Sequence, residues 1–182
     1  ITQTARRLGM NCALPKDLTI VLGTGETTAL ELTSIYAVIA RGGLSVKPYA
    51  ILKVTDLDGH VLYKYQAPVP QRLVDASVAQ ALTHMMRAVV SYGTGKKAAL
   101  DRPVAGKTGT TQLDRDAWFI GFTPELVTGV WAGNDDNTSM DLSKAGSPSV
   151  RLWQKFMAQA PQFVPVQYTP PPSLQAPVYD TY

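Results

Sequence analysis

The stretch Val104-Ala-Gly-Lys-Thr-Gly-Thr-Thr111, with Ala117-Trp-Phe-Ile-Gly-Phe122 and Leu126-Val-Thr-Gly-Val-Trp131 after it, carries the main fold signal of this chain. The three segments are short and rich in β-branched or aromatic residues, which favour strands. Only a Thr-Pro-Glu turn separates the second segment from the third. The pattern therefore predicts three antiparallel strands joined by short loops.

A helix and a hairpin are predicted before these strands. Thr28 and Glu31 have the spacing of a capping box, and apolar residues follow at helical intervals until Gly42-Gly43. Residues 51–55 and 61–65 alternate in character around an Asp-Gly turn, which is typical of a β-hairpin.

Two further helices are predicted from apolar stripes. One begins near residue 75 or 77 and ends before Gly93, with a buried stripe formed by Val78, Leu82, Met85, Met86 and Val89. The other begins at Pro148 and ends before Pro161, with Val150, Trp153 and Met157 on one face. Together the elements predict an α+β fold in which helices cover an antiparallel β-sheet.

The composition excludes several classes of protein. Of the 182 residues 45% are hydrophobic and 17% are charged, as in a globular domain. The 17 basic and 14 acidic residues are scattered, so no nucleic-acid partner is expected. A single cysteine excludes an internal disulfide, and two distant histidines exclude a Cys/His zinc site. We therefore expect neither metal nor cofactor.

The ends of the chain suggest a part of something longer. No run approaches the roughly 18 apolar residues of a membrane helix, so no membrane segment is predicted here. Because the first residue is Ile1 and no leader pattern follows, we expect a piece whose anchor or export signal lies outside it. Residues 161–182 are crowded with proline and predict an extended or disordered tail.

The hexapeptide Gly106-Lys-Thr-Gly-Thr-Thr111 is the sharpest chemical motif. It matches the Lys-Thr-Gly strand of penicillin-recognising serine enzymes. Lys107 would supply positive charge to a substrate carboxylate, and the hydroxyls of Thr108 and Thr110 would donate hydrogen bonds to it. Gly109 would let the backbone approach the substrate without a Cβ.

Two other interpretations compete for this motif. Gly106-Lys-Thr could end a phosphate-binding loop, but Asp101 stands where that loop needs its first glycine, and Pro103 interrupts it. A phosphate loop also requires a helix immediately afterwards. Alternatively, the motif is an ordinary strand edge that matches by chance.

The neighbouring segments favour the first interpretation. Asp116 to Pro124 and Gly129 to Asn137 resemble the stretch that follows this motif in class A penicillin-binding proteins. Further landmarks of the same domain occur upstream in the same order: Ala5–Met10, Leu22–Glu26, Leu30–Leu32, Arg41–Gly43, Lys47–Tyr49 and Val90–Gly95. The resemblance covers residues 1–160, which would form the C-terminal portion of a transpeptidase domain, with 161–182 as a Pro-rich tail. It implies the penicillin-binding, serine β-lactamase-like fold.

The resemblance implies a D,D-transpeptidase that cross-links peptidoglycan stem peptides at the extracytoplasmic face of the cytoplasmic membrane. A serine attacks a D-Ala-D-Ala terminus, the terminal D-Ala leaves, and an amine of a second stem peptide takes the acyl group. Lys107 would polarise the site, and Thr108 and Thr110 would hold the carboxylate. The backbone N–H of Thr110 would stabilise the oxyanion. The strand would pair with the extended substrate or a β-lactam, with Thr111 lining the cleft mouth.

The chain departs from the family pattern at the nucleophile. None of its serines has a lysine three residues later, and no S-x-N triplet occurs. The resemblance places both motifs in an upstream half of the same domain, which becomes an expected partner, and the chain alone is expected to be inactive. The alternative is a catalytically silent binding module that kept the fold.

Several neighbours of the motif are expected to be structural. Trp118, Phe119 and Trp131 are predicted to be core aromatics between sheet and helices. Asp116 could shape the wall of the site or accept backbone hydrogen bonds, and the second, structural role is the one predicted. The Gly93-Thr94-Gly95 segment is predicted to be a flexible loop near the cleft.

Overall fold

A computed structural model describes residues 1–15, 17–140 and 147–160. It contains helices α1 (Thr2–Arg7), α2 (Ala29–Ala40), α3 (Ala76–Ser91) and α4 (Pro148–Gln159). Its strands are β1 (Lys53–Thr55), β2 (Val61–Lys64), β3 (Ala105–Thr110), β4 (Asp116–Phe122) and β5 (Val127–Gly133). Short 3₁₀ segments occur at Leu18–Leu22, Lys96–Ala98 and Gln112–Asp114. The predicted tail at 161–182 lies outside the described residues.

The main sheet has the strand order β3-β4-β5 and is antiparallel throughout. Lys107 is opposite Ile120, and Trp118 is opposite Trp131. The three strands predicted from the sequence are confirmed, with boundaries shifted by one or two residues. The α+β fold class is confirmed as well.

Helices cover both faces of this sheet because side chains alternate along each strand. On one face Phe119 packs edge-on against Trp153 of α4, with ring centroids 5.1 Å apart. Gly121 lies beside them, where an added Cβ would come within 2.9 Å of both rings. On the other face Phe122 packs with Tyr36 and other apolar residues of α2. Buried residues of α3 join both clusters.

Local signals set the ends of α2. The Thr28 side chain accepts a hydrogen bond from the backbone N–H of Glu31 at 3.1 Å, which is one half of the predicted capping box. The Glu31 carboxylate instead accepts from the N–H of Asn11 at 2.9 Å and from the Thr27 hydroxyl at 3.3 Å. The helix ends at Ala40, just before Gly42 and Gly43. The position of this helix and its cap at Thr28 are thus confirmed, but the predicted capping role of the Glu31 side chain is not found.

The buried stripe of α3 differs from the prediction. Val78 and Met85 are 48% and 65% exposed, whereas Ala79, Met86 and Val90 are buried. The buried stripe of α3 is therefore rotated from the predicted one toward Ala79. The small side chain of Ala79 permits close packing of the helix that a larger residue would obstruct. The prediction that both Met85 and Met86 fill the core is therefore wrong for Met85.

The hairpin predicted upstream of α3 is confirmed as β1 and β2. Their side chains are exposed along both strands. Tyr49 stacks on Tyr65 at the base of the hairpin, with ring centroids 3.9 Å apart. The hairpin therefore projects from the sheet-and-helix core and adds little to it.

Candidate active-site cleft

A cleft of about 700 Å³ lies on the α2 face of the main sheet. Its walls are the segment 107–111 of β3 and the following turn, the N-terminal half of α2 and the loop 23–27. Trp118 and Trp131 form its floor beside Asp116. The structure thus brings Lys107, Thr108, Gly109, Thr110 and Thr111 together on one wall. No serine or cysteine of the described residues lines the cleft.

The outer edge of β3 faces away from β4 and has no strand partner in the described part of the chain. The N–H of Thr111 points toward β4 and donates to the carbonyl oxygen of Asp116 at 3.2 Å. In an antiparallel ladder, hydrogen-bonded pairs alternate with non-hydrogen-bonded pairs, so only every second residue of β3 directs its N–H toward β4. The N–H groups of Thr108 and Thr110 therefore point outward from the sheet, where an extended ligand would run.

The side chain of Lys107 is exposed at this edge. Its Nζ donates a hydrogen bond to the carbonyl oxygen of Thr108 at 2.7 Å. The ammonium thus lies along the outer edge of β3, close to the outward-facing backbone groups. An anionic group that docks on this edge would meet a positive charge.

Thr94 does not line the cleft itself but contacts a residue that does, which the sequence did not predict. Its hydroxyl is 2.7 Å from that of Thr108, so one of the two donates to the other. The Gly93-Thr-Gly95 segment was predicted only as a loop near the cleft. Its closeness to Thr108 depends on how α3 ends beside β3, which no local pattern indicates.

Gly109 has a cross-strand reason to lack a side chain. A Cβ at this position would lie 3.2 Å from the Cβ of Trp118. Such a contact is tight, so Trp118 would have to shift by a few tenths of an ångström. The glycine thus avoids crowding at the cleft floor, a role separate from the close ligand approach predicted from the sequence.

Asp116 ties the floor of the cleft to the end of β3. Its carboxylate accepts hydrogen bonds from Trp131 Nε1 at 2.7 Å and from the Thr111 hydroxyl at 3.0 Å. Its own N–H donates to Thr111 Oγ1 at 2.9 Å. The expected structural role of Asp116 is therefore confirmed, with side chains rather than backbone groups as donors to the carboxylate.

The aromatic residues divide between core and cleft. Phe119 is fully buried, as predicted. Trp131 is 43% exposed, and it lines the cleft with Trp118 at a centroid distance of 6.4 Å. The prediction that both tryptophans are core residues is wrong, because strand alternation places them on the face opposite Phe119 and there they line the open cleft.

The turn after β3 is strained. Leu113 and Asp114 have φ values of 62° and 53°, in the left-handed region that non-glycine residues seldom adopt. The Leu113 side chain is 70% exposed. Such strain is common beside functional sites.

Tyr36 of α2 is the cleft residue whose ionisation is most affected by its surroundings. Burial raises the pKa of its phenol above the ordinary value, because an anionic phenolate is poorly solvated there. Tyr36 therefore stays neutral throughout the physiological range and presents an uncharged ring to the cleft.

The phosphate-loop interpretation of Gly106-Lys-Thr is wrong. These residues lie within β3, and a three-residue 3₁₀ segment and β4 follow instead of the α-helix that a phosphate loop requires. The backbone N–H groups consequently pair along a sheet instead of surrounding a phosphate.

One group of potential metal ligands occurs in the described residues, at the tip of the hairpin. Asp56, Asp58 and His60 lie together and are exposed. The Asp56 carboxylate accepts hydrogen bonds from the N–H groups of Asp58 and His60, so the cluster shapes a turn.

Among the described residues, no helix has the length and apolar character needed to cross a bilayer.

Comparison with known proteins gives a consistent result. The family model described as penicillin binding protein transpeptidase domain matches residues 17–157. Penicillin-binding protein 1A from Aquifex aeolicus (strain VF5) is 37% identical over 167 residues, which cover 91% of this chain and 23% of that protein. The chain thus spans less than a quarter of the length of this relative.

Solved structures share the fold. Penicillin-binding protein 1A from Haemophilus influenzae aligns with a TM-score of 0.76 at 24% identity, over 88% of this chain and 30% of that one. PonA1 from Mycobacterium tuberculosis in complex with penicillin V aligns with a TM-score of 0.69 at 24% identity, over 88% and 50%.

Proposed function

Because the chain belongs to the family of penicillin-binding protein transpeptidase domains, we propose that it forms one wall of a serine D,D-transpeptidase site. The observation that carries this proposal is the outer edge of β3, which no other described strand pairs with and where Lys107, Thr108 and Thr110 line the cleft. A stem peptide in extended form would pair with this edge as an added strand. A β-lactam would take the same position.

The residues of β3 would bind the substrate through a positive charge and through hydrogen bonds. Lys107 would attract the terminal carboxylate of the D-Ala-D-Ala group, and the hydroxyls of Thr108 and Thr110 would donate to it. The outward N–H of Thr110 would stabilise the oxyanion that forms when the carbonyl is attacked. Thr111 and Gly109 would keep the wall in place, since their neighbours are Asp116 and Trp118.

The nucleophile would come from a partner segment. The chain has no S-x-x-K or S-x-N motif. We propose that an upstream half of the same domain packs into the cleft and brings the serine to the edge of β3. Its hydroxyl oxygen would bond to the carbonyl carbon, the peptide C–N bond would break, and D-Ala would leave with the hydroxyl proton on its amine. The amine of a second stem peptide would then bond to the same carbon, the ester C–O bond would break, and the amine would return a proton to the serine oxygen. This reaction would take place at the extracytoplasmic face, where peptidoglycan lies.

Labelling with a fluorescent penicillin tests this function. The chain alone should remain unlabelled, and a fusion with the upstream half of a relative's transpeptidase domain should be labelled. Lys107→Ala in the fusion should lose most labelling, whereas Lys97→Ala, which removes an exposed lysine outside the cleft, should not. A folded fusion that takes no label would contradict the proposed function and favour the silent module.

The same fusion tests Thr94 as a positioning residue. Thr94→Val removes the hydroxyl partner of Thr108 and should slow acylation about 2- to 10-fold, the effect of one net hydrogen bond. Thr94→Ser keeps the hydroxyl and should restore the rate. Equal rates for the valine and serine variants would remove Thr94 from the site.

A further inference from the structure

A second concave site, the basic pocket, lies beside the start of β3. Its volume is about 420 Å³, and it lies between the C-terminal part of α3 and the segment 96–104. Arg87, Lys96 and Arg102 line it. None of its lining residues lines the cleft, so the two sites are separate.

The charges around the basic pocket are unbalanced. Among the residues that the structure describes, three cationic side chains and no acidic one line it. Among the described residues, Arg87 and Lys96 form no ion pair, and Arg102 pairs only with Asp101, at 3.3 Å. The Asp101 side chain is 80% exposed, so water weakens this pair. Like charges that line one pocket repel one another, and a bound anion would relieve that repulsion.

Arg102 is held rigidly in this pocket. Its side chain is only 15% exposed, and Nη2 donates to the carbonyl oxygen of Met157 in α4 at 2.6 Å. Its Nε is buried and has no hydrogen-bond partner among the described residues. Buried donors of this kind are rare in folded proteins. The guanidinium charge is therefore preorganised and only partly compensated.

The size and lining of the pocket indicate the class of ligand. A single inorganic ion would leave most of 420 Å³ unfilled, whereas small organic ligands occupy pockets of roughly 300–1,000 Å³. Val90, Leu100 and Val104 supply apolar wall beside the cations. A phosphate carries up to two negative charges and several acceptor oxygens, which suit arginine and lysine together.

We propose that the basic pocket binds the phosphate group of a small phosphate ester, with its organic part against the apolar wall. The phosphate could belong to a soluble ester or to a lipid headgroup, and the chemistry at the three cations is the same. The site would add a ligand-binding function to the chain that is independent of acyl transfer.

Isothermal titration calorimetry of the full chain with glycerol 3-phosphate tests this proposal. We expect saturable binding that weakens as NaCl is raised, because exposed charges are screened. Arg87→Gln and Lys96→Gln should each weaken binding about 5- to 10-fold. Both side chains are on the surface, so these variants should fold, which circular dichroism would verify. Arg102→Gln is less suitable because it also removes the bond to Met157.

The matched control is Lys97→Gln, which removes the adjacent exposed lysine outside the pocket. Unchanged binding by this variant supports a defined site. Absence of saturable heat with the wild-type chain would overturn the proposal. Equal losses for Lys96→Gln and Lys97→Gln would also overturn it, since they would indicate general surface attraction.

Vesicles distinguish the two sources of phosphate. Vesicles of phosphatidylglycerol in phosphatidylcholine should co-sediment with the chain if the ligand is a lipid headgroup, and glycerol 3-phosphate should release it. Titratable binding of glycerol 3-phosphate without vesicle binding indicates a soluble ester. The proposal would be contradicted if the chain bound vesicles but not the soluble ester, and if Arg87→Gln left the vesicle binding unchanged.

Discussion

At the scale of single residues, Asp116 connects elements that are far apart in the chain. Its carboxylate accepts from Trp131 on β5 and from Thr111 at the end of β3. One side chain thus fixes both the floor of the cleft and the end of the wall that carries Lys107. The sequence placed Asp116 near the site but named none of these donors, since they depend on the sheet register.

Replacing Asp116 should loosen this connection measurably. Asp116→Ala removes two acceptor bonds, and because the site is open to solvent we expect a loss of about 1–2 kcal/mol in the free energy of unfolding. Urea unfolding monitored by tryptophan fluorescence would measure it, with Trp131 as a local reporter. Asp135→Ala, at an exposed position, is the control and should change stability by less than about 0.5 kcal/mol. Equal effects of the two variants would argue against the network.

Tyr36 should give the fold a dependence on alkaline pH. The pKa of its phenol is higher in the folded than in the unfolded chain, so its contribution to stability is fully present below about pH 10. That contribution is lost as pH rises through the folded-state pKa. Tyr36→Phe should flatten the decline in unfolding free energy between pH 9 and 11. Tyr92→Phe, at a position 74% exposed, should leave the decline as in the wild type.

At the scale of elements, the packing of β4 against α4 depends on a missing side chain. Gly121 lies where a Cβ would meet Phe119 and Trp153 at 2.9 Å each. Both rings are fully buried, so neither has room to move aside. The close contact holds α4 on the face of the sheet opposite the cleft.

Gly121→Ala should therefore destabilise the fold by about 1–3 kcal/mol, the usual cost of overpacking a core. Thermal unfolding followed by circular dichroism would measure the loss. Gly25→Ala is the matched control, because its Cβ would meet only side-chain atoms of Pro15 and Leu14 at 3.4–3.5 Å. If both variants melt at the same temperature, the packing described for β4 and α4 is wrong.

Some features of these elements could be predicted from the sequence, and others could not. Capping at Thr28, the three strands and the stripe of α4 follow from local pattern, and all were predicted. The stripe of α3 and the position of Trp131 were not, because both depend on which neighbour packs against which face. The same limit applies to Thr94, whose hydroxyl reaches Thr108 only through the tertiary arrangement of α3 and β3.

At the scale of the whole molecule, the cleft leaves apolar surface in contact with water. Trp131 is 43% exposed, and Trp118 and Tyr36 line the same open space. An exposed concavity of this kind commonly marks a surface that another polypeptide covers. The outer edge of β3, which has no strand partner among the described residues, adds outward N–H groups that can pair with a further strand.

A segment that fills the cleft should stabilise the whole chain. Binding to the folded state alone raises stability by about 2.7 kcal/mol when the ligand is at 100 times its Kd. We therefore expect the thermal midpoint to rise with concentration when the upstream half of a relative's transpeptidase domain is added. The fluorescence of Trp131 should shift to the blue at the same time, because water leaves its ring.

The control is the hairpin variant Leu57→Ser, because Leu57 is fully exposed and lies outside the cleft. Its thermal midpoint should rise as that of the wild type does. The thermal midpoint of Trp131→Ala should rise less than that of the wild type. An unchanged midpoint in the wild type would mean that the upstream segment does not bind in this cleft.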